Sequence, residues 1–188
     1  IKQHLLEAME NTVAYHKPLR SLLHKVEEKM KLFTGDVIMD QYYAALWCIE
    51  HGLSQQAYTL LQEHVITSVS LLLGLDINDL DSRMAISRGI AVTSKKKPKN
   101  KWRCNEEERR IMEQTNILLK PFEDMLKDIN KLGNFRNDMN HAGYRRGPST
   151  PEKFEAQLKV IAKNLEPLFR HIQETLQSKS ESAVSGER

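Results

Sequence analysis

The sequence predicts an all-α protein, a helical bundle of about five to seven helices around one core and without a β-sheet. Three observations carry this expectation. Apolar residues recur at three- and four-residue spacing through nearly every segment. No segment sustains a period-two alternation of β-branched residues. And only 8 glycines and 6 prolines in 188 residues imply long elements and few tight turns.

The elements follow in order. Residues 1–32 place Leu5, Leu6, Met9 and Val13, then Leu19, Leu22, Leu23, Val26 and Met30, at helical spacing, with a bend expected at Pro18 and a stop at Gly35. Asp36 or Asp40 is positioned to cap a second helix carrying Tyr42, Tyr43, Ala45, Leu46 and Ile49, which ends at His51-Gly52. Ser54 is the expected cap of a long helix through Ala57, Leu61, Val65 and Val69 to Leu73, stopped by Gly74. A shorter helix is expected from Asp79 or Asp81 to Ser87. From Glu106 the pattern resumes through Ile111, Met112 and Leu118. Pro121 bends or restarts it, and it runs on through Met125 and Ile129 to Leu132. The triple Glu at 106–108 suits a helix N-terminus, where the peptide dipoles favour negative charge. A last helix is announced by "STPEKFE", with a cap at Ser149 or Thr150 and Pro151 at the first helical position, and it carries Phe154, Leu158, Ile161, Leu165, Phe169 and Ile172. The expected organisation is a connecting helix over 1–34, a helical domain over 35–176, and a polar, disordered tail over 177–188.

Composition bounds the function. With 28 Lys plus Arg against 25 Asp plus Glu, the formal net charge is +3, so any polyanion would have to be drawn by local clustering. Cys48 and Cys104 have neither metal-ligand spacing nor a visible base partner, and free thiols in a reducing cytoplasm are the default. The longest apolar patch, Val65 to Leu75, is short of the roughly 20 residues that span a bilayer and contains Thr67, Ser68 and Ser70, so no membrane partner is expected. The chain opens at Ile1 already in helical register, which reads as the continuation of an upstream segment. Two Glu-His pairs, Glu50-His51 and Glu63-His64, lack further ligands at known spacing, and no metal or other cofactor is expected.

Two stretches hold the polar chemistry. "SKKKPKNKWRCN", residues 94–105, crowds cations including Lys97, Lys101 and Arg103 into an expected exposed loop, with Trp102 among them. Such a run is either a solvated loop or a nucleic-acid contact, and an aromatic among cations can stack on a base. "NFRNDMNHAGYRRG", residues 134–147, is the densest polar cluster of the chain. On a helix from about Asn134 to Gly143, Phe135 and Met139 are four apart and can share a buried face, which leaves Asn137 and His141, also four apart, facing outward. Arg136 and His141 are five apart, about 140° around a regular helix at roughly 100° per residue, so they do not face each other squarely.

Arginine offers paired donors to phosphate oxygens, histidine moves protons near neutral pH, and asparagine can fix either by hydrogen bonding. These parts suffice for metal-independent RNA cleavage, in which the 2′-hydroxyl attacks the adjacent phosphate; DNA lacks that group. Spacing alone equally allows a surface patch in which Asp138 pairs with Arg145 or His141 and Asn140 caps the helix. Tyr144, Arg145 and Arg146 follow directly, either as an RNA groove or as an exposed basic turn.

"RNDMNHAG" resembles the Arg-x-x-x-x-His signature of the HEPN superfamily, matched here by Arg136, Asn137 and His141. "YYAALWCIEHGLSQQAYTLLQE", residues 42–63, resembles the helical hairpin of the CARF–HEPN proteins that accompany type III CRISPR systems. The likeness covers roughly residues 36–172. It implies an endoribonuclease acting on single-stranded RNA in antiviral defence, cytoplasmic, and active as a homodimer whose composite site draws Arg136 and His141 from both subunits. It also implies activation by a cyclic oligoadenylate bound to a separate CARF domain, to which residues 1–32 would connect. The alternative is a non-catalytic helical module for RNA binding or dimerisation.

Overall fold

Local capping chemistry sets most helix starts. The computed structural model describes residues 17–141 and 150–185, and over them the chain forms α1 (Lys17–Met30), α2 (Val37–Glu50), α3 (Ser54–Leu73), α4 (Leu80–Ser94), α5 (Glu106–Leu119), α6 (Leu126–Asn140) and α7 (Pro151–Ser185). No strand occurs among the described residues, and the protein is all-α as expected. Asp36 caps α2 by accepting the Met39 N–H, and Asp79 caps α4 by accepting from Asp81 and Ser82. Asn105 and Glu108 satisfy each other's backbone N–H at the start of α5, the reciprocal arrangement that relieves two orphan donors. Gly74 ends α3 with φ 67°, a left-handed turn that glycine adopts without strain.

Several bounds differ from expectation. The residue before α3 is Leu53, which has no capping side chain, and Ser54 is already helical. Pro18 is the second residue of the described α1, and the segment before it, on which the expected bend depends, lies outside the described residues. α4 does not stop at Ser87 but runs to Ser94 through Gly89. A Cβ at Gly89 would come within 3.1 Å of the Met112 Cα, so this glycine marks a close approach of α4 and α5. Pro121 and the non-helical Phe122 (φ −114°) separate α5 from α6 by a 3-10 segment, Lys120–Met125. α6 starts at Leu126, eight residues before the start expected from the polar cluster, and passes through Gly133. α7 runs past 176 to Ser185, where a disordered tail was expected; hydroxyls of Thr175, Ser178, Ser180 and Ser182 bond back to carbonyls three or four residues earlier, and Lys179 Nζ reaches the Leu72 carbonyl at 3.1 Å. The expected cap at Ser149 lies outside the described residues.

α3 is the central element. Ala57, Tyr58, Leu61, Val65 and Val69 are fully buried along it, and it packs on α2, α4, α6 and α7. Burying aliphatic and aromatic side chains of this size stabilises by about 1.5–3 kcal/mol each before entropy is counted. Tyr42 donates to the Ala162 carbonyl at 3.2 Å and Tyr58 to that of Phe154 at 2.8 Å, which ties α2 and α3 to α7. α1 meets the bundle near its end, through Lys29 Nζ to Glu50 at 2.6 Å, and Leu22 and Val26 stay exposed.

Candidate functional site

The rotation of α6 about its axis decides which polar side chains reach solvent. Leu126, Ile129, Leu132 and Phe135 form its buried stripe. Phe135 sits 5.4 Å, ring to ring, from both Tyr58 and Phe154, with Met139 half-buried beside the same core. The aromatic cluster thereby fixes the helix, and Asn137 and His141 face outward as the spacing predicted. Asp138, by contrast, is buried. His141 is the C-cap: its backbone N–H donates to the Asn137 and Met139 carbonyls. A protonated imidazole there would sit at the negative end of the helix dipole. Asn140 does not cap the helix; its Oδ1 accepts from Gln55 Nε2 at 2.9 Å.

Arg136 turns toward α3. Its Nη1 donates to Glu63 Oε1 at 3.3 Å, while its Nε is buried and unpartnered. Glu63 is shared: Oε2 accepts from Arg83 Nη2 at 2.7 Å, and Arg83 Nη1 also reaches Thr67 Oγ1 at 3.1 Å and the Ile77 carbonyl at 2.9 Å. The side chains of Arg83, Arg136 and Glu63 are 17%, 28% and 44% exposed. One carboxylate between two guanidiniums leaves a formal +1. Arg83 is committed in three directions, whereas Arg136 spends one long bond out of five donors among the described residues. Arg136 is therefore the cation with unused capacity for an oxyanion. Arg136 and His141 do not hydrogen-bond to each other, in keeping with their angular offset.

Glu63 and His64, adjacent in sequence, diverge. His64 is 1% exposed, stacked 4.0 Å from the Phe169 ring, with Nδ1 3.4 Å from Ser68 Oγ and Nε2 without a hydrogen bond. Burial pushes its pKa down from 6.5 to about 4, against smaller opposing effects of the Ile38 carbonyl and Asp36, so the ring is neutral. Glu50 pairs with Lys29, and His51 donates its Nδ1–H to the Trp47 carbonyl at 2.7 Å and stacks on its indole at 4.2 Å. Among the described residues no group of three His, Cys, Asp or Glu is placed to hold a metal ion, and no helix is long and apolar enough to cross a membrane.

The basic segment is folded down by the very residue that suggested base stacking. Trp102 is only 8% exposed and donates Nε1–H to the Lys97 carbonyl at 3.0 Å, so it is a core anchor and not a stacking platform. A short 3-10 turn, Lys99–Lys101, precedes it. Lys99 pairs with Glu113, whereas Lys97, Lys101 and Arg103 are exposed and without an ion pair among the described residues. These cations are not beside Arg136. Arg83 and Lys95 lie twelve residues, about 18 Å, apart along α4 and its cap. Tyr144, Arg145 and Arg146 lie outside the described residues. The sequence missed Glu63 as the partner of Arg136 and Arg83 as the second cation on that carboxylate, since the Arg136–Glu63 contact spans 73 positions.

No family model, curated protein or solved structure matches the chain.

Proposed function

We propose that the chain is a HEPN-type, metal-independent endoribonuclease for single-stranded RNA, acting as a homodimer. The observation that carries the reading is Arg136: an arginine with one 3.3 Å contact and a buried, unpartnered Nε, on the helix that His141 caps. In this reaction the 2′-hydroxyl gives up its proton to water as its oxygen forms a bond to phosphorus, and the bond from phosphorus to the 5′-oxygen breaks. His141 supplies the proton that the departing 5′-oxygen takes up, and Arg136 donates to the non-bridging oxygens as charge develops on them. Asn137, exposed one turn before His141, orients the imidazole. A second subunit would bring another Arg136 and His141 and relieve the five-residue offset. By resemblance the protein would serve type III CRISPR defence, with control by a cyclic oligoadenylate residing in a separate CARF domain.

His141→Ala is expected to keep its helical circular dichroism and lose RNA cleavage in the presence of a chelator, with wild-type products ending in 2′,3′-cyclic phosphate. Retained cleavage by a preparation free of contaminating nuclease removes His141 from the chemistry. A second reading, a non-catalytic RNA-binding or dimerising module, is favoured by the Arg136–Glu63 pair, which ties α6 to α3. It expects salt-sensitive RNA binding without any product.

A further inference from the structure

Arg136 and His141 leave one proton of the proposed reaction without a side chain to take it: the one that the 2′-hydroxyl loses as it attacks. Water is a weak acceptor at neutral pH, and a positioned side chain in its place adds roughly 10²–10⁴ in rate. His141 cannot take this proton as well, because it is the donor to the 5′-oxygen, which departs in line from the opposite side of phosphorus. The acceptor has to be a second group, close to the phosphate that Arg136 holds.

Glu63 stands there. Its Oε1 accepts from Arg136 Nη1 at 3.3 Å and its Oε2 from Arg83 Nη2 at 2.7 Å. A carboxylate has about four acceptor sites, so two remain, and the side chain is 44% exposed. Arg83, itself fixed by Thr67 Oγ1 and the Ile77 carbonyl, keeps the carboxylate in place. Arg83 and Arg136 are the charged groups that face Glu63 among the described residues. Asp138, the acidic residue next to this site on α6, is buried.

The distances close. A guanidinium amino group directs its two hydrogens about 120° apart. With Glu63 on one of them at 3.3 Å, a phosphate oxygen on the other at about 2.8 Å lies about 5 Å from Glu63 Oε1. The 2′-oxygen comes to about 3–3.5 Å from phosphorus before it attacks. It can therefore stand within about 2.6–3.2 Å of Oε1 while the phosphate stays on Arg136. The offset of Arg136 and His141, about 140° around α6, suits a proton acceptor and a proton donor on opposite sides of one phosphorus.

We propose that Glu63 is the proton acceptor of the cleavage reaction. The proposal rests on the ribonuclease reading and adds a third group to its site. The 2′-O–H bond breaks and its proton passes to Glu63 as the 2′-oxygen bonds to phosphorus. The bond from phosphorus to the 5′-oxygen breaks, and His141 gives that oxygen a proton. Glu63 then releases its proton to water and His141 takes one up, which restores the site. Arg83 is a positioning residue that holds the carboxylate.

Two RNA substrates and a pH profile separate the roles. On ordinary RNA, Glu63→Gln should lower kcat about a hundredfold or more without raising KM. The fall of kcat/KM toward acid pH that the wild type shows should vanish from its profile. Glu63→Asp, which keeps a carboxylate, should retain part of the activity together with that fall. RNA with sulfur in place of the bridging 5′-oxygen at the cut has a leaving group that departs without a proton. That substrate should restore cleavage to His141→Ala and fail to restore it to Glu63→Gln. Wild-type rates in Glu63→Gln, an unchanged fall toward acid pH in it, or its rescue by the sulfur substrate would each overturn Glu63 as the acceptor and leave the ribonuclease reading in place. Wild-type protein that cleaves neither RNA overturns the ribonuclease reading, and the proposal with it.

Discussion

His64 gives the fold a pH dependence of predictable sign and size. The ring is buried against Phe169 and its pKa falls from 6.5 to about 4 on folding, with burial the main cause. The unfolded chain therefore binds a proton more readily than the folded one between these values. Its contribution to stability is fully present above pH 6.5 and is lost as pH falls through the window to about 4. A difference of about two and a half pKa units corresponds to ~3 kcal/mol across the whole window. Between pH 7 and pH 5 the same two values give a loss of about 2 kcal/mol. Glu50 is drawn down by Lys29 and Asp79 by Ser82, while Asp128 is drawn down by Lys131 and Asn164 against the opposing effect of its burial. These three carboxyls therefore titrate below their ordinary values of 3.8 to 4.5, outside the range measured. Urea unfolding at pH 7, 6 and 5 reads the effect directly. With a slope of about 2 kcal/mol per molar, the midpoint should drop by ~1 M over that range. His64→Leu should abolish most of that drop, whatever it does to stability at pH 7, where losing the ring stack and the Ser68 contact is offset by losing an orphaned nitrogen. An equal drop in wild type and His64→Leu would refute the argument, because the titrating group would then lie elsewhere.

Three further outcomes follow from particular contacts. Gly89→Val should destabilise by about 1–3 kcal/mol in thermal or chemical melts, since its Cβ would press on the Met112 backbone at 3.1 Å and α4 and α5 would have to separate. Trp102→Ala should cost about 3 kcal/mol or more by the same melts, as expected of a buried indole; unchanged stability with weakened RNA binding would instead restore the stacking role. Glu63→Gln should lower stability by no more than about 1 kcal/mol, because both ion pairs are partly exposed; it should tighten RNA several-fold at 50 mM salt in fluorescence anisotropy while slowing cleavage, since Arg136 loses the carboxylate that positions it.

The helix ends were legible where a few adjacent residues decide them. Asp36, Asp79 and Gly74 act through their own backbone neighbourhood, and no distant contact is required to place them. The end of α4 was placed too early, at Ser87, because the continuation through Gly89 to Ser94 rests on a close approach to Met112 that no local pattern shows. Trp102 misled for a related reason. Six neighbouring cations make a segment look solvent-facing, yet one large side chain is enough to pin such a segment to the core. The outward face of α6 was legible because Phe135 and Met139 are four residues apart and their burial leaves Asn137 and His141 no other direction.

What local pattern could not supply was the electrostatic setting of Arg136. Glu63 and Arg83 come from α3 and α4, and their meeting with α6 depends on how three helices pack. That setting shapes the chemistry more than the spacing of the motif does. A lone exposed arginine would bind phosphate from many directions and orient none. A fully paired one, such as Arg83 with its three acceptors, would have little left to offer. Arg136 stands between these limits: Glu63 restrains one end of the guanidinium, while its remaining Nη donors have no partner among the described residues. With Glu63 counted, the three-residue cluster carries +1, so one phosphodiester, at −1, would bring it to neutrality. A second phosphate at the same place would meet no remaining charge. The cluster is therefore suited to hold a single phosphate, and if the proposed RNA strand is bound, the further cations it needs must come from elsewhere, the exposed Lys97, Lys101 and Arg103 being candidates.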